Sequence, residues 1–113
     1  MSKPLVVYVS GPLTTGELGP WHNMHAAFEV GARLFALGYA AIVPHWTWVV
    51  EQKANLSHAE WIERDNAILE RCDVVFRLPG RSAGADLETA HAERMGIPVV
   101  RSFEELEEWR RSA

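Results

Sequence analysis

Residues 79–91, PGRSAGADLETAH, combine small residues with side chains that can do chemistry. Ser82 and Gly84 fall in the first half of this stretch, and Glu88 falls in the second. The apolar run before it, residues 73–78, predicts a buried strand, and the spacing after it predicts a helix. A small-residue loop in this position leaves backbone N–H groups beside a helix N-terminus, where an anion or an oxygen-rich ligand is favoured. The carboxylate of Glu88 would face the strand ends from the first turns of that helix.

The same residues also have a purely structural interpretation. Ser82 can be a helix N-cap, Gly84 can relieve a tight turn, and Glu88 can offset the helix dipole at the surface. The rest of the chain decides between these interpretations, because a ligand site needs further groups at the same edge of the sheet.

A second group of polar positions follows the first predicted strand, residues 5–9. Ser10, Gly11 and Pro12 come next, and a Gly-Pro pair cannot continue a strand. The backbone therefore turns at the carboxyl end of the strand, which is the edge where open α/β sheets bind ligands. Residues 13–22 then predict a flexible loop that can close over a bound molecule.

The next strand brings two aromatic side chains to this edge. Asn23 is the predicted cap of the first helix, and Gly38 ends that helix. A strand over residues 40–43 follows, and His45 and Trp46 come directly after it. A parallel strand pair with a right-handed crossover places them at the same edge as the first strand end.

Asp65 lies within the second predicted helix, which begins with a capping box of Ser57 and Glu60. A carboxylate among apolar residues is costly unless it is hydrogen-bonded or used. The alternative is an ion pair with Arg64 or Arg71 at the rim of the helix. The apolar positions that predict an inward face are Trp61, Ile62, Ile68 and Leu69.

The order of the elements predicts the fold. The helix after residues 73–78 ends at Gly96, a fourth strand covers residues 97–100, and Ser102 with Glu105 predicts a capping box for a last helix. This alternation predicts an α/β fold, a Rossmann-like or flavodoxin-like parallel sheet of four to five strands with helices on both faces. We expect residues 1–113 to form one domain.

Composition and charge exclude several classes of partner. The 113 residues carry a net charge of -4, which does not provide the broad basic surface that extended nucleic acid or an anionic membrane would need. There is no signal-peptide layout and no apolar run of membrane-spanning length, so we expect a cytoplasmic protein. The chain is small for an enzyme with an enclosed site, which favours a homodimer or a larger homo-oligomer.

Cysteine and histidine residues give little support for a metal site. Cys72 is the sole cysteine and precedes an apolar strand, which predicts a packed thiol. His22 and His25 are spaced to share one helix face, but no third ligand follows at a recognisable spacing. We therefore expect neither a metal nor another cofactor.

The candidate residues together suggest one reaction. A phenol at Tyr8, carboxylates at Asp65 and Glu88, backbone donors and aromatic faces suit the cleavage of a glycosidic bond to a planar base. A glutamate can attack an anomeric carbon because the oxocarbenium-like transition state carries positive charge, which a carboxylate stabilises.

Three segments also carry a resemblance to a known family. They are YVSGP at 8–12, RDNAI at 64–68, and LPG at 78–80 followed by S-x-G-A-x-x-E at 82–88. In this order they resemble the nucleoside 2-deoxyribosyltransferase superfamily. The most similar members are small stand-alone relatives grouped as a domain of unknown function and the 2'-deoxynucleoside 5'-monophosphate N-hydrolases. The similarity runs from about residue 6 to residue 100.

The resemblance implies a role for each residue that matches the family pattern. Glu88 would be the nucleophile that forms a ribosyl-enzyme ester, and Tyr8 would orient its carboxylate. Asp65 would meet the base or supply the proton that the leaving base needs. The position of Ser82 is usually an aspartate that holds the sugar 5'-hydroxyl in the transferases, and a serine that meets the 5'-phosphate in the monophosphate hydrolases.

The expected function is therefore an N-glycosidase that hydrolyses the base–sugar bond of a (deoxy)nucleoside 5'-monophosphate through a covalent intermediate at Glu88. One alternative is a 2-deoxyribosyltransferase, in which a second base rather than water attacks the ester. Another is a non-catalytic nucleotide-sensing module, which would keep an anion cradle without turnover. Substrate contacts are expected from Ser10, Gly11, Pro12, His45, Trp46, Ser82 and Gly84.

Overall fold

The computed structural model describes residues 3–16, 18–46, 49–50 and 53–113. Strands and helices alternate along these residues, and a short 3-10 turn at Pro44–Trp46 follows the second strand. The strands are β1 (Val6–Ser10), β2 (Ala40–Ile42), β3 (Val74–Arg77) and β4 (Val99–Val100). The helices are α1 (Gly19–Ala36), α2 (His58–Leu69), α3 (Ala83–Arg94) and α4 (Phe103–Ser112).

The four strands form one parallel sheet in the order β2-β1-β3-β4. Tyr8 pairs with Ile42 on one side and with Val75 on the other, so β1 lies between β2 and β3. This arrangement confirms the predicted parallel α/β sheet of four to five strands. Because all four strands run in the same direction, their carboxyl ends meet at one edge.

Helices cover both faces of the sheet, as the alternation of side chains along each strand requires. On one face, Val7 and Val9 of β1 pack in a core that includes Ala27 and Leu34 of α1 and Leu106 of α4. On the other face the core contains Tyr8 and Val75 from the central strands, Leu69 from α2 and Ala92 from α3. Cys72 is buried in this second core, which confirms the packed thiol, and burial raises the pKa of that thiol to about 11.

The same alternation decides which side chains at the strand ends face α2 and α3. Tyr8 faces these helices, so Ser10, two residues later, lies on the same side of β1. Val75 shares that face on β3, which places Arg77 there as well, and Ser10 is the register partner of Arg77. The carboxyl ends of the two central strands therefore present polar side chains toward α2 and α3.

Helix α1 begins earlier than the sequence predicts. Asn23 is not its cap, because the helix starts at Gly19 with a proline in its first turn, where the fixed φ of proline suits a helix. The Asn23 side-chain amide instead donates to the carbonyls of Leu13 and Thr15, at 2.8 and 2.7 Å. The loop predicted over residues 13–22 is therefore shorter, and its first part is fastened to α1.

The remaining helix caps follow the sequence with one difference. Ser57 and Glu60 form the predicted capping box of α2. Ser102 caps α4 by accepting from the Glu105 amide, but the Glu105 carboxylate accepts from the amide of Arg101 rather than from that of Ser102. In the described ranges no helix is both long enough and apolar enough to cross a bilayer.

Candidate active site

The carboxylate of Glu88 is bound by two hydroxyl groups from the end of β1. Ser10 Oγ donates to Glu88 Oε1 at 2.8 Å, and the Tyr8 hydroxyl donates to Glu88 Oε2 in a short hydrogen bond. Tyr8 and Ser10 are 0% and 1% exposed, so both donors lie beneath the carboxylate. Glu88 is thus not the surface residue of the structural interpretation, and its two oxygens are fixed in orientation.

Burial and hydrogen bonding act on the charge of Glu88 in opposite directions. Desolvation raises the pKa of this carboxyl above its ordinary value, while the hydrogen bonds from Tyr8 and Ser10 and the positive charge of Arg77 lower it. Burial, the Glu88 charge and the hydrogen bond to it, and the charge of Asp65 all raise the pKa of Tyr8. Tyr8 therefore keeps its proton and donates a hydrogen bond to Glu88. The carboxylate is poorly hydrated, which makes it a better nucleophile than one in water.

A cavity of about 500 Å³ lies beside this carboxylate at the carboxyl edge of the sheet. It is large enough for a small-molecule ligand. Six of the predicted site residues line it: Gly11, His45, Asp65, Ser82, Gly84 and Glu88. The cavity therefore joins the two loops that sequence analysis places at one edge.

Asp65 of α2 lines the cavity, together with residues of the loop after β1. Trp61 and Ile62, one turn earlier, line the same cavity, so this face of α2 lines the cavity instead of packing in the core. Ile68, predicted to face inward, is 38% exposed, whereas Leu69 is fully buried. Of the four α2 residues predicted to face inward, Leu69 alone belongs to the core against the sheet.

Ser82 is the N-cap of α3, as the structural interpretation predicts. Its Oγ accepts from the Ala85 amide at 3.1 Å, and this bond uses a lone pair while the hydroxyl proton can be donated to a ligand. Gly84 has no positive φ, so a tight turn is not the reason for this glycine. Ala83 and Gly84 form the first turn of α3, where N–H groups have no intrahelical acceptor, and both line the cavity.

Gly11, Pro12 and His45 connect the strand ends to each other. A Cβ on Gly11 would lie 2.8 Å from Leu78 Cβ, so glycine is required by the close approach of β3. His45 Nε2 lies 3.1 Å from the Pro12 carbonyl oxygen. Because a carbonyl oxygen can only accept, Nε2 is the ring nitrogen that carries the proton and donates. Burial lowers the pKa of His45, and the neutral ring therefore presents Nδ1 as an acceptor.

Two buried polar atoms on the cavity residues have no hydrogen-bond partner within the described ranges. They are Nδ1 of His45, an acceptor, and Nε1 of Trp61, a donor. An unpaired buried polar atom costs about 1–3 kcal/mol. Sequence analysis does not single out Trp61 as a ligand contact, because a tryptophan at helical spacing is also typical of a core.

The other predicted site residues lie outside the cavity lining. Tyr8 and Ser10 lie beneath Glu88, and Pro12 contributes its carbonyl to His45. The Trp46 side chain is 52% exposed and does not line the cavity. Among the residues that the structure describes, no group of three or more His, Cys, Asp or Glu side chains is placed to hold a metal ion.

A comparison of the sequence with protein-family models shows the family of the chain. The family model described as Domain of unknown function (DUF4406) matches residues 5–101, which is most of the sequence. The chain belongs to the DUF4406 family. This finding confirms the predicted kinship with small stand-alone domains of unknown function. No curated protein gives a match to the chain.

Two solved structures share the fold of this DUF4406 chain. The 2-deoxyribosyltransferase from the psychrotolerant bacterium Bacillus psychrosaccharolyticus is 17% identical, with a TM-score of 0.60 over 83% of this chain and 69% of that one. The 2-deoxyribosyltransferase from Leishmania mexicana is 16% identical, with a TM-score of 0.64 over 87% of this chain and 63% of that one. The chain thus spans slightly less than two thirds of the Leishmania protein. The predicted 2-deoxyribosyltransferase-like fold is confirmed.

Proposed function

We propose that this DUF4406 chain is an N-glycosidase that hydrolyses the base–sugar bond of a (deoxy)nucleoside 5'-monophosphate. The proposal rests on the surroundings of the Glu88 carboxylate. Its carboxylate is oriented by two buried hydroxyl groups and borders a cavity that Asp65 and Ser82 also line. A carboxylate used only for stability gains nothing from bordering a cavity of this size.

In the first step, a Glu88 oxygen forms a bond to the anomeric carbon as the bond from that carbon to the base nitrogen breaks. The electron pair of the broken bond stays on the base nitrogen, which takes a proton from Asp65. Tyr8 and Ser10 hold the carboxylate so that one lone pair faces the sugar, and the positive charge on the anomeric carbon develops next to an anion.

In the second step, water attacks the anomeric carbon of the ester. The water loses its proton to Asp65, the ester C–O bond breaks, and its electron pair returns to the Glu88 carboxylate. The enzyme ends in its starting state, with the base and the sugar phosphate as products. The chemistry requires no oxidant, reductant or metal.

The amino-terminal turn of α3 is the proposed site of the 5'-phosphate. Backbone N–H groups of Ala83 and Gly84 and the Ser82 hydroxyl border the cavity, and a helix N-terminus attracts negative charge. Gly11, which has no side chain, also lines the cavity. His45 Nδ1 and Trp61 Nε1 offer an acceptor and a donor to the polar edge of a base.

The test is base release from a panel of nucleoside and deoxynucleoside monophosphates, analysed by chromatography, with Glu88→Gln as the matched variant. We expect one or a few monophosphates to lose their base with the native protein and none with the variant. Absence of release from every compound, together with a nucleotide-induced rise in Tm, would instead support a binding module.

A 2-deoxyribosyltransferase is the second candidate, and the fold shared with two such enzymes favours it. The two candidates differ only in the group that attacks the ester at Glu88. Adding a second, different base to the reaction separates them. A new nucleoside or nucleotide carrying the second base indicates transfer, and free sugar or sugar phosphate alone indicates hydrolysis.

A further inference from the structure

Arg77 places a buried guanidinium at the carboxyl end of β3. Its side chain is 6% exposed and donates to the Leu78 carbonyl in a short hydrogen bond. Its Nη2 also donates to the Gly80 carbonyl at 3.0 Å and to Asp86 Oδ1 at 3.1 Å. A single side chain thus connects the end of β3, the loop that follows it and the first turns of α3.

Stability alone accounts poorly for this buried charge. Removing a guanidinium from water costs several kcal/mol. The Asp86 side chain is 72% exposed, and ion pairs with exposed partners contribute only about 0–1 kcal/mol. In addition, Arg77 Nε is buried with no hydrogen-bond partner in the part of the chain that the structure describes. An apolar side chain of similar length would fill the end of β3 without these costs.

The contacts of Arg77 surround the residues that carry the proposed reaction. Ser10, which donates to Glu88, is the register partner of Arg77 across β1 and β3. Gly80 lies in the loop that leads to Ser82, and Asp86 lies on α3 together with Glu88. Moving this arginine would therefore change the position of α3 relative to the hydroxyl groups of β1.

We propose that Arg77 is a positioning residue for the reaction at Glu88. It fixes the start of α3 against the end of β3, so that Glu88 meets its two hydroxyl donors and Ser82 borders the cavity. Its positive charge also favours the ionised carboxylate that a nucleophilic attack requires. This inference rests on the proposed function, because it assigns Arg77 a part in the same reaction.

Charged and titratable groups reach the surroundings of Glu88 from β1, β3 and α2, three of the elements packed against α3. β4, which also packs against α3, consists of two valines. Arg77 on β3 lowers the pKa of the Glu88 carboxyl, in the same direction as the hydrogen bonds from β1 and against the effect of burial. The other charged and titratable groups around Glu88 and Arg77 are Tyr8 of β1, His45 after β2, His58 and Asp65 of α2, and Asp86 of α3.

The test compares Arg77→Met with Arg77→Lys in base release measured across pH. With Arg77→Met we expect kcat to fall at least about tenfold, by a larger factor than KM rises, because a misplacement of about 1 Å can slow a positioned reaction about 100-fold. The acid limb of the plot of kcat against pH should move to higher pH. With Arg77→Lys the limb should return close to its native position, since the charge is kept, while kcat stays reduced because lysine lacks the fork of donors.

A native acid limb and a native kcat in a folded Arg77→Met protein would overturn the proposal. If Arg77→Met fails to fold, Arg77→Gln, which keeps a donor for the loop carbonyls, replaces it in the same comparison. Titration of the Glu88 side-chain carboxyl by NMR gives the charge effect without turnover. A native protein that releases no base contradicts the proposed function, whereas an unchanged Glu88 titration in Arg77→Met contradicts the role of Arg77.

Discussion

Tyr8 and Glu88 are 80 positions apart in the chain, and the phenol of the first donates to the carboxylate of the second. The contact exists because Tyr8 faces α3 from the central strand and Glu88 faces the sheet from α3. Ser10, on the same side of β1, binds the other carboxylate oxygen. The two donors keep a poorly hydrated anion in one orientation, and the proposed chemistry depends on this arrangement.

Replacing Tyr8 with phenylalanine removes one of the two donors and keeps the ring in the core. A hydrogen bond to a charged group contributes about 1.5–3 kcal/mol, so we expect kcat to fall roughly 10- to 100-fold. Because this bond lowers the pKa of Glu88, the acid limb of the rate profile should move to higher pH. Tyr39→Phe is the matched control, since the buried Tyr39 hydroxyl has no hydrogen-bond partner in the described part of the chain. Equal rates for the two variants would contradict the assignment.

Glu88→Gln should make the folded protein more stable at neutral pH. Burial raises the pKa of Glu88 in the fold, so the folded state holds the proton more tightly than the unfolded state does. The stability linked to this group is complete below the ordinary glutamate value of about 4.3 and is lost as pH rises through the folded pKa. The neutral amide avoids that loss, and a gain of about 1 kcal/mol at pH 7 is expected.

Thermal unfolding of native protein and Glu88→Gln between pH 4 and pH 8 measures this difference. The gap in Tm should be widest at pH 8 and close toward pH 4. Glu63→Gln, at an exposed position on the same side of the sheet, is the control for the exchange of a carboxylate for an amide. A gap that widens toward low pH would contradict the sign derived for Glu88.

Ser82→Asp separates the capping role of Ser82 from its proposed contact with phosphate. Aspartate is an N-cap as good as serine, so stability should stay within about 0.5 kcal/mol of the native protein. The added negative charge should weaken reaction with monophosphates at least about tenfold relative to nucleosides. Ser82→Ala, which loses the bond to the Ala85 amide, should cost about 1 kcal/mol of stability. It should lower the preference for monophosphates less than Ser82→Asp does, because it removes a donor without adding a negative charge. The readout is the ratio of kcat/KM for a monophosphate and its nucleoside, and an unchanged ratio in Ser82→Asp would argue against phosphate at this position.

The two glycines of the cavity should respond differently to alanine. A Cβ on Gly11 would lie 2.8 Å from Leu78 Cβ, so Gly11→Ala is expected to cost about 1–3 kcal/mol of stability. A Cβ on Gly84 would have Ser82 Oγ as its nearest neighbour at 4.0 Å, and Gly84→Ala should therefore fold with native stability or better. Denaturant unfolding of the two variants provides the comparison. A stable Gly11→Ala would mean that the strand ends are less closely packed than the distance indicates.

The sequence predicts the fold and the carboxyl edge of the sheet because both depend on local patterns. Alternating apolar runs and helical spacing give the order of the elements, and Ser57 with Glu60 gives the start of α2. The period of two in β1 then places Tyr8 and Ser10 on one side of the sheet. Its position in the first turns of the helix after β3 likewise allows Glu88 to be assigned to the side of α3 that faces the strand ends.

Other parts of the site depend on contacts between loops that no local pattern encodes. Asn23 resembles a helix cap, but it binds carbonyls of residues 13 and 15. In the sequence, Arg77 is a polar residue at the end of a predicted strand. Its three hydrogen-bond acceptors, the carbonyls of Leu78 and Gly80 and the carboxylate of Asp86, are brought to it by the folded loop after β3 and by α3. The spacing of Trp61 in α2 predicts a core residue, whereas in the structure Trp61 lines the cavity. In each case the partner is fixed by tertiary structure.

The most direct test of the attack by Glu88 is the stereochemistry of the reaction in the presence of methanol. Methanol competes with water for the ester, and the methyl glycoside that forms does not change its anomeric configuration afterwards, so NMR can determine it. Two successive displacements at the anomeric carbon predict retention, which from a β-nucleotide gives the β-methyl glycoside. The α-methyl glycoside, the product of a single displacement, would contradict a covalent intermediate at Glu88.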